Sequence, residues 1–546
     1  MSAVQTHMNT ETIRIDSLAY GGDGVGHLAD GRVAFVPRGL PGDVCVVEYV
    51  DTGERFVRAR LESIVEESSD RVQALCPEAA SGRCGGCPWA DLAYEAQLRW
   101  KRQAVVDALE RIARMDARWV ESHVPACIAS KREWHYRNKV EFETGLDVAG
   151  RFTLGMYARG GSFTPLSSCA LIPGKFSQAP KALTGALRFA AGQDDLGIER
   201  VGIRVSTRTN DVEVALWTST GRFPRARVAQ VVGESLATKG VGITRVLLKG
   251  PAKERKVAGV ESLRGHGYWT ETVNGMTMLL SAPSFFQVNT PGAETLTRLV
   301  LDGLSPDGLD YVLDLYSGAG TFTLPLAREA HAVAAVESAG SSVRDLRRNL
   351  ERNDLAAEVI GGDAARELAS LGSPDKVVVD PPRSGLGDKA VRGLCESGAR
   401  TIAYVSCNPT TLARDLVKLR AGGYEVECVT PVDMFPQTYH VETVAVLSRK
   451  SASKSFIPVS ISPKDMGLSE EKEQPTYTNI CDYVQKTHGM KVSSLYVAQM
   501  KAECGLGTQA DRSGDKKQPK CPPEKREAIL DAFRHFGLMG EDETEK

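Results

Sequence analysis

The sequence predicts a multi-domain α/β protein. A doubly wound sheet is preceded by a small OB-like β-barrel and an α+β central domain, and followed by a small helical extension. Three observations predict it. Strand-like and helical patterns alternate from about residue 290 to Lys450. Five short β-rich segments punctuated by glycine fill residues 11–66. After Lys450 the chain turns polar and Ser/Pro-rich before helical periodicity returns. A length of 546 residues exceeds one ordinary core and suits roughly three to four domains. The expected divisions are 1–70, 71–283, 284–450 and 451–546.

The five N-terminal segments are TIRIDSLAY, GVGHL, RVAFVPR, DVCVVEYV and RFVRARLESIVEE, broken by GG, DG and PG turns. Such a barrel either carries nucleic acid or serves as a brace, and composition does not choose between them. A cysteine-rich loop, CPEAASGRCGGCPW, follows from Cys76. Apolar residues at three- and four-residue spacing then predict a helix in LAYEAQLRWKRQAVVDALERIAR. The central region continues with the strands KVEFET, FTLGMYA, VGIRVST, DVEVALWT and TRVLLKG. In the doubly wound part, YVLDLY, HAVAAVE, AEVIGGD, DKVVVD, TIAYVSC and HVETVAVLSRK read as strands. TFTLPLARE, SVRDLRRNLERN and TLARDLVKLRAG read as helices. Residues 451–475 read as a linker, and three amphipathic helices and a charged tail, EDETEK, end the chain.

Net charge is −2, which excludes a surface that is basic all over. Local patches such as KREWHYRNK at 131–139 and RVLLKGPAKERK at 245–256 can still engage phosphates. No stretch approaches the roughly 20 apolar residues of a membrane helix, and the N-terminus has no apolar signal core. A monomer in the cytoplasm, with no membrane partner, is expected. Twelve cysteines in such a chain are not a disulfide framework.

In a doubly wound sheet, ligands bind outside the carboxyl ends of the strands. Those ends carry a glycine turn at Gly318-Ala319-Gly320, three acids at Glu337, Asp363 and Asp380, and a thiol at Cys407. Any one acid is more often a helix cap than a ligand, and a lone cysteine is more often a small buried hydrophobe. Together on one rim they point to a cofactor site beside an accessible nucleophile. Without a third glycine on schedule, the turn disfavours a dinucleotide. Glu442, early in the last strand, is the candidate base.

These stretches resemble the uridine-5 RNA methyltransferases of the RumA/TrmA type. The matching segments are SFFQVN (284–289), DLYSGAGTFTLPLA (314–327), VDPPRSGL (379–386), YVSCNPTTLARD (404–415) and HVETVAVL (440–447). The resemblance implies a Rossmann-like methyltransferase domain in which Gln287, Tyr316, Thr321, Glu337, Asp363 and Asp380 hold S-adenosylmethionine. It implies Cys407 as covalent nucleophile and Glu442 as general base. It identifies the N-terminal segment with the TRAM domain, an RNA-binding module. It also implies a [4Fe–4S] cluster on Cys76, Cys84, Cys87 and Cys169, with a four-cysteine zinc site as the alternative. Seven residues separate Cys76 from Cys84, against the family's usual five. By analogy with cluster-bearing members, the expected partner is ribosomal RNA. The chemistry fits the residues: a thiolate added to carbon 6 of uracil makes carbon 5 nucleophilic, and a base then removes its proton. Cytidine-5 methylation uses the same thiol chemistry, but it calls for a second cysteine that the Asp380-Pro381-Pro382 segment lacks. A non-catalytic RNA-binding scaffold would have no need of Cys407 and Glu442.

Overall fold

Alternating apolar residues close the N-terminal segment into a five-stranded barrel. In the structure, a computed structural model, its strands are β1 (Thr10–Leu18), β2 (Gly24–His27), β3 (Val33–Val36), β4 (Val44–Thr52) and β5 (Phe56–Glu66), in the order β1-β2-β3-β5-β4. Ile13, Ile15, Val36, Cys45, Val47 and Val57 fill it. The described residues are 10–251, 254–450, 477–492, 494–504, 506 and 521–539. The expected linker and the charged tail lie outside them.

A seven-stranded sheet forms the central region. Its strands are β6 (Lys139–Leu146), β7 (Phe152–Tyr157), β8 (Phe163–Pro165), β9 (Ile198–Val205), β10 (Val212–Ser219), β11 (Gly242–Lys249) and β12 (Lys256–Arg264), ordered β12-β11-β10-β9-β6-β7-β8. Helices Ala179–Ala191 and Arg225–Ser235 pack on it through Leu183, Leu187, Val228 and Val232. A hairpin of β13 (Trp269–Val273) and β14 (Met276–Leu280) follows. Its edge amides do not go unpaired: Asn353 Oδ1 accepts from Thr277 N at 2.9 Å and Asn349 Oδ1 from Leu279 N at 2.7 Å.

The doubly wound sheet comprises β15 (Tyr311–Leu315), β16 (Ala332–Glu337), β17 (Glu358–Gly361), β18 (Lys376–Val379), β19 (Thr401–Ser406), β20 (Tyr424–Val432) and β21 (Glu442–Arg449). The order β17-β16-β15-β18-β19-β21-β20 reverses direction between β15 and β18. The first five strands in this order are parallel, and β21 runs antiparallel to both β19 and β20. Val312, Leu313, Val377, Val378, Ala403 and Val405 are all fully buried, as strands covered on both faces require.

Packing crosses the division expected at residue 283. Helix Tyr94–Arg111 and helix Ala117–His123 bury Val105, Leu109, Val120 and Val124 in one core with Leu416, Leu419 and Val429. Within that contact Lys101 and Asp433, both fully buried, pair at 2.5 Å. Tyr94 donates to the other Asp433 oxygen at 2.8 Å. Three helices, Tyr477–His488, Ser494–Glu503 and Pro523–His535, share a separate core of Ile480, Val484, Val497, Met500, Ile529 and Phe533. Among the described residues no helix is long and apolar enough to cross a membrane.

Candidate active site

Strand register brings Cys407 and Glu442 together. Ser406 of β19 pairs with Thr443 of β21, so the next residue on one strand faces the preceding residue on the other, and those are Cys407 and Glu442. Thr443 Oγ1 reinforces the pairing by donating to the Ser406 carbonyl at 3.0 Å. The turn after Cys407 is fixed by Asn408, whose side chain caps helix Pro409–Ala421 by accepting from Thr410 N at 3.0 Å, with Pro409 at the first helical position. Asn408 also donates to the carbonyl of Arg383 at 3.3 Å, tying this turn to the loop after β18. Asp380 leaves β18, the parallel neighbour of β19, on the same rim.

Burial dominates the electrostatics. The half-buried Cys407 thiol is pushed up to about 11, first by desolvation and then by Glu442 and Asp380, while Arg383 pulls it down. Glu442, buried to 3% exposure, is held well above the usual carboxylate range by desolvation and by Asp380, again opposed by Arg383. Asp380 is raised to about 7 by desolvation and by Asp314. His440, two residues before Glu442, falls to about 4 through burial and the cations Arg383, Lys101 and Arg137, so its imidazole is neutral. The site is thus a desolvated cluster of proton-holding groups with one exposed guanidinium, Arg383, at its edge. A cation brought into it would favour the ionised forms of Cys407, Glu442 and Asp380 and keep His440 neutral.

The other expected cofactor residues surround the β15 turn. Tyr316, Gly318 and Gly320 take positive φ of 65°, 57° and 103°, which turns the chain sharply from strand to helix. Glu337 at the end of β16 accepts from Gly318 N at 2.9 Å, locking two strand ends together. Half-buried Thr321 follows Gly320 in the same turn. Gln287 is buried, and its carbonyl accepts from Asn138 at 2.9 Å. Asp363 is exposed and caps the short helix Ala364–Glu367, accepting from Arg366 N at 3.2 Å, while its charge acts on Tyr316. Asp314, inside the glycine-turn motif but not singled out from sequence, is fully buried. It accepts from Thr323 Oγ1 at 2.5 Å, and its second oxygen has no partner among the described residues. Arg383 and His440 were also missed, although each lies within a recognised motif. Tyr20 and Tyr439 carry no sequence signal of their proximity to Cys407.

Cys76, Cys84, Cys87 and Cys169 line one cavity of about 270 Å³ beneath the central sheet, with Arg137, Trp134 and Met156 in its wall. All four are free thiols. Burial raises Cys84, Cys87 and Cys169, the last to about 11, and the cysteines' own mutual repulsion adds to each. Among the described residues no three His, Cys, Asp or Glu stand close enough to grip one metal ion. A single zinc would need four sulfurs about 2.3 Å from one centre. A multi-iron cluster spans several ångströms, so its thiols stand farther apart, and four thiols around a cavity have the donor set it requires. Arg137 also reaches toward the catalytic side, with its guanidinium 6.0 Å from the Phe435 ring centre.

The tRNA (Uracil-5-)-methyltransferase family model matches residues 272–372 and 367–450. An RNA methyltransferase of Gloeobacter violaceus, itself uncharacterized, is 34% identical over 457 residues, 81% of this chain and 96% of its own length. A similarly named Listeria monocytogenes protein is 32% identical over 450 residues, 80% of this chain and 96% of its own. Among solved structures, Pyrococcus abyssi tRNA (uracil-54, C5)-methyltransferase in complex with S-adenosyl-L-homocysteine superposes with a TM-score of 0.62 at 26% identity, over 80% of this chain and 100% of that one. With Cys407 and Glu442 paired inside the matched segment, and about a third of the aligned residues shared with relatives matched over nearly their full length, the chain belongs to the uracil-5 RNA methyltransferase family and is an RNA methyltransferase.

Proposed function

We propose that the enzyme transfers a methyl group from S-adenosylmethionine to carbon 5 of a specific uridine in RNA, ribosomal RNA in the first instance, through a covalent adduct on Cys407. The observation that carries this is the register pairing of Cys407 with Glu442 beside Asp380. The Cys407 thiolate adds to carbon 6 of uracil, and the displaced electron pair makes carbon 5 a nucleophile. Carbon 5 takes the methyl group from the sulfonium donor, leaving S-adenosylhomocysteine. Glu442 then accepts the carbon-5 proton, the ring double bond re-forms, and the thiolate leaves. Free Cys407 is mostly protonated at neutral pH. Arg383 and the donor's positive charge both favour its ionisation. Gln287, Tyr316, Thr321, Glu337, Asp363 and Asp380 are assigned to the donor.

Cys76, Cys84, Cys87 and Cys169 are assigned to a [4Fe–4S] cluster, because the four thiols line one cavity and four thiolates are the donor set such a cluster needs. The barrel is assigned to RNA, as a TRAM-like module. Incubation with unmodified RNA and labelled donor, followed by nucleoside mass analysis, should yield 5-methyluridine, and Cys407→Ala should yield none. Methylation at another base, or multiple turnover by Cys407→Ala, overturns the reading. Protein purified without oxygen should contain iron and sulfide, and Cys87→Ser should lose both. Zinc without iron refutes the cluster.

A further inference from the structure

The barrel is packed against the catalytic pocket as well as being presented to solvent. Tyr20 lies in the turn between β1 and β2, and its hydroxyl donates to the carbonyl of Cys407, 387 residues away, at 3.2 Å. Its ring meets Tyr439 edge-on, with centroids 6.1 Å apart and planes at 85°. The turn is clamped from other sides. Trp89 Nε1 donates to the Gly22 carbonyl at 3.3 Å, and Arg159 pairs with Asp23, one of its contacts being 3.1 Å. Gly22 has φ of +90°, and a Cβ there would come within 2.6 Å of the Tyr439 ring. Glycine is therefore what lets the turn press onto Tyr439. Burial and the nearby Cys407, Tyr439 and Glu442 hold the Tyr20 phenol well above its ordinary range, so it remains a hydrogen-bond donor throughout the working pH range.

We propose that the N-terminal barrel completes the catalytic pocket: its β1–β2 turn roofs Cys407, and Tyr20 is a positioning residue that fixes the nucleophile-bearing turn through the Cys407 carbonyl. The carbonyl belongs to the residue whose Sγ must meet carbon 6 of the base, and within the catalytic sheet that turn is held by Ser406, Asn408, Thr411 and Thr443. Tyr20 adds a hold on the Cys407 carbonyl itself, from a part of the chain otherwise assigned to gripping RNA. The proposal rests on Cys407 being the nucleophile. It implies that removing the barrel impairs chemistry as well as affinity.

Two variants of the full chain test it. Tyr20→Phe keeps the ring against Tyr439 and removes only the hydrogen bond, a loss of about 0.5–1.5 kcal/mol, or roughly 2- to 12-fold. With saturating RNA containing 5-fluorouridine and saturating S-adenosylmethionine, covalent adduct should form slower by about that factor, with RNA and donor Kd unchanged. Tyr20→Ala also removes the roof, so iodoacetamide should alkylate Cys407 several-fold faster, followed by mass mapping of the Cys407 peptide. Tyr20→Phe forming adduct at the wild-type rate, or losing only RNA affinity, overturns the positioning role. Unchanged alkylation in Tyr20→Ala overturns the roof. The alkylation measurement needs no RNA. A wild-type enzyme that forms no adduct therefore sinks the uridine reading and the positioning role with it, while the alkylation ratio still decides the roof.

Discussion

Glutamine at position 442 should stop the enzyme on its product. Glu442 is buried to 3% exposure among Cys407, Asp380 and Arg383. Glutamine matches its volume and is neutral, as burial keeps the Glu442 carboxyl in the free enzyme, so the fold should tolerate it. Addition of Cys407 to the ring and transfer of the methyl group do not consume the carboxylate. Proton removal from carbon 5 does. A general base contributes about 10²- to 10⁴-fold, or about 2.7–5.4 kcal/mol of barrier at 1.36 kcal/mol per decade. If wild-type turnover is about 10 s⁻¹, a median value for enzymes, release in Glu442→Gln slows to about 10⁻¹–10⁻³ s⁻¹, and the methylated adduct survives for roughly 10–1,000 s. A rapid denaturing quench followed by gel electrophoresis should show a protein–RNA band, and mass analysis should place the methyl group on the bound base. An inactive variant with no band, or a band lacking the methyl group, would assign Glu442 an earlier role and leave proton removal to another group.

Two further outcomes follow from buried charges. Lys101→Met strands Asp433 inside the protein and should cost about 3–5 kcal/mol in chemical denaturation; Lys101→Met with Asp433→Asn, which removes the charge but keeps the acceptor for Tyr94, should recover at least about half, and a single-variant cost under about 1 kcal/mol would contradict the pairing. Asp314 is raised from an ordinary value near 3.8 to about 7, so the folded state holds its proton more tightly than the unfolded one. That contribution is complete below about pH 4 and is lost as pH rises through 7. The Tm advantage of Asp314→Asn over wild type should therefore widen between pH 4 and pH 8, and a constant difference would refute the shift.

The barrel and the doubly wound sheet were legible because their signals are local. Period-two burial marks Ile13 and Ile15, and continuous apolar runs ending in Glu337, Asp380 and Cys407 mark strands covered on both faces. The four cavity cysteines were legible through resemblance rather than through packing. Strand β20 was not foreseen, because YEVECVTPV alternates with charges and contains a proline that suits only a sheet edge. The β13–β14 hairpin and helices Ala179–Ala191 and Arg225–Ser235 lay in stretches where no motif drew attention. Within the site, Asp314 hid inside a glycine-turn motif. Tyr20 and the Lys101–Asp433 pair depend on contacts spanning more than 300 residues, which no window of sequence reveals.

The Lys101–Asp433 contact also sets a timetable for synthesis. The two residues are 332 positions apart, and helix Tyr94–Arg111 finds its apolar partners only when the last strands of the sheet exist. At about 5–20 residues per second, roughly 15–65 s of translation separate the emergence of that helix from the emergence of its partners. For that interval Val105 and Leu109 stand exposed on a nascent chain, with a closed barrel ahead of them and nothing to cover them. Long-range closure of this kind is slow and invites unwanted association, so this enzyme should depend on holding chaperones, or on slow, dilute refolding, more than a chain whose catalytic sheet is built from contiguous sequence.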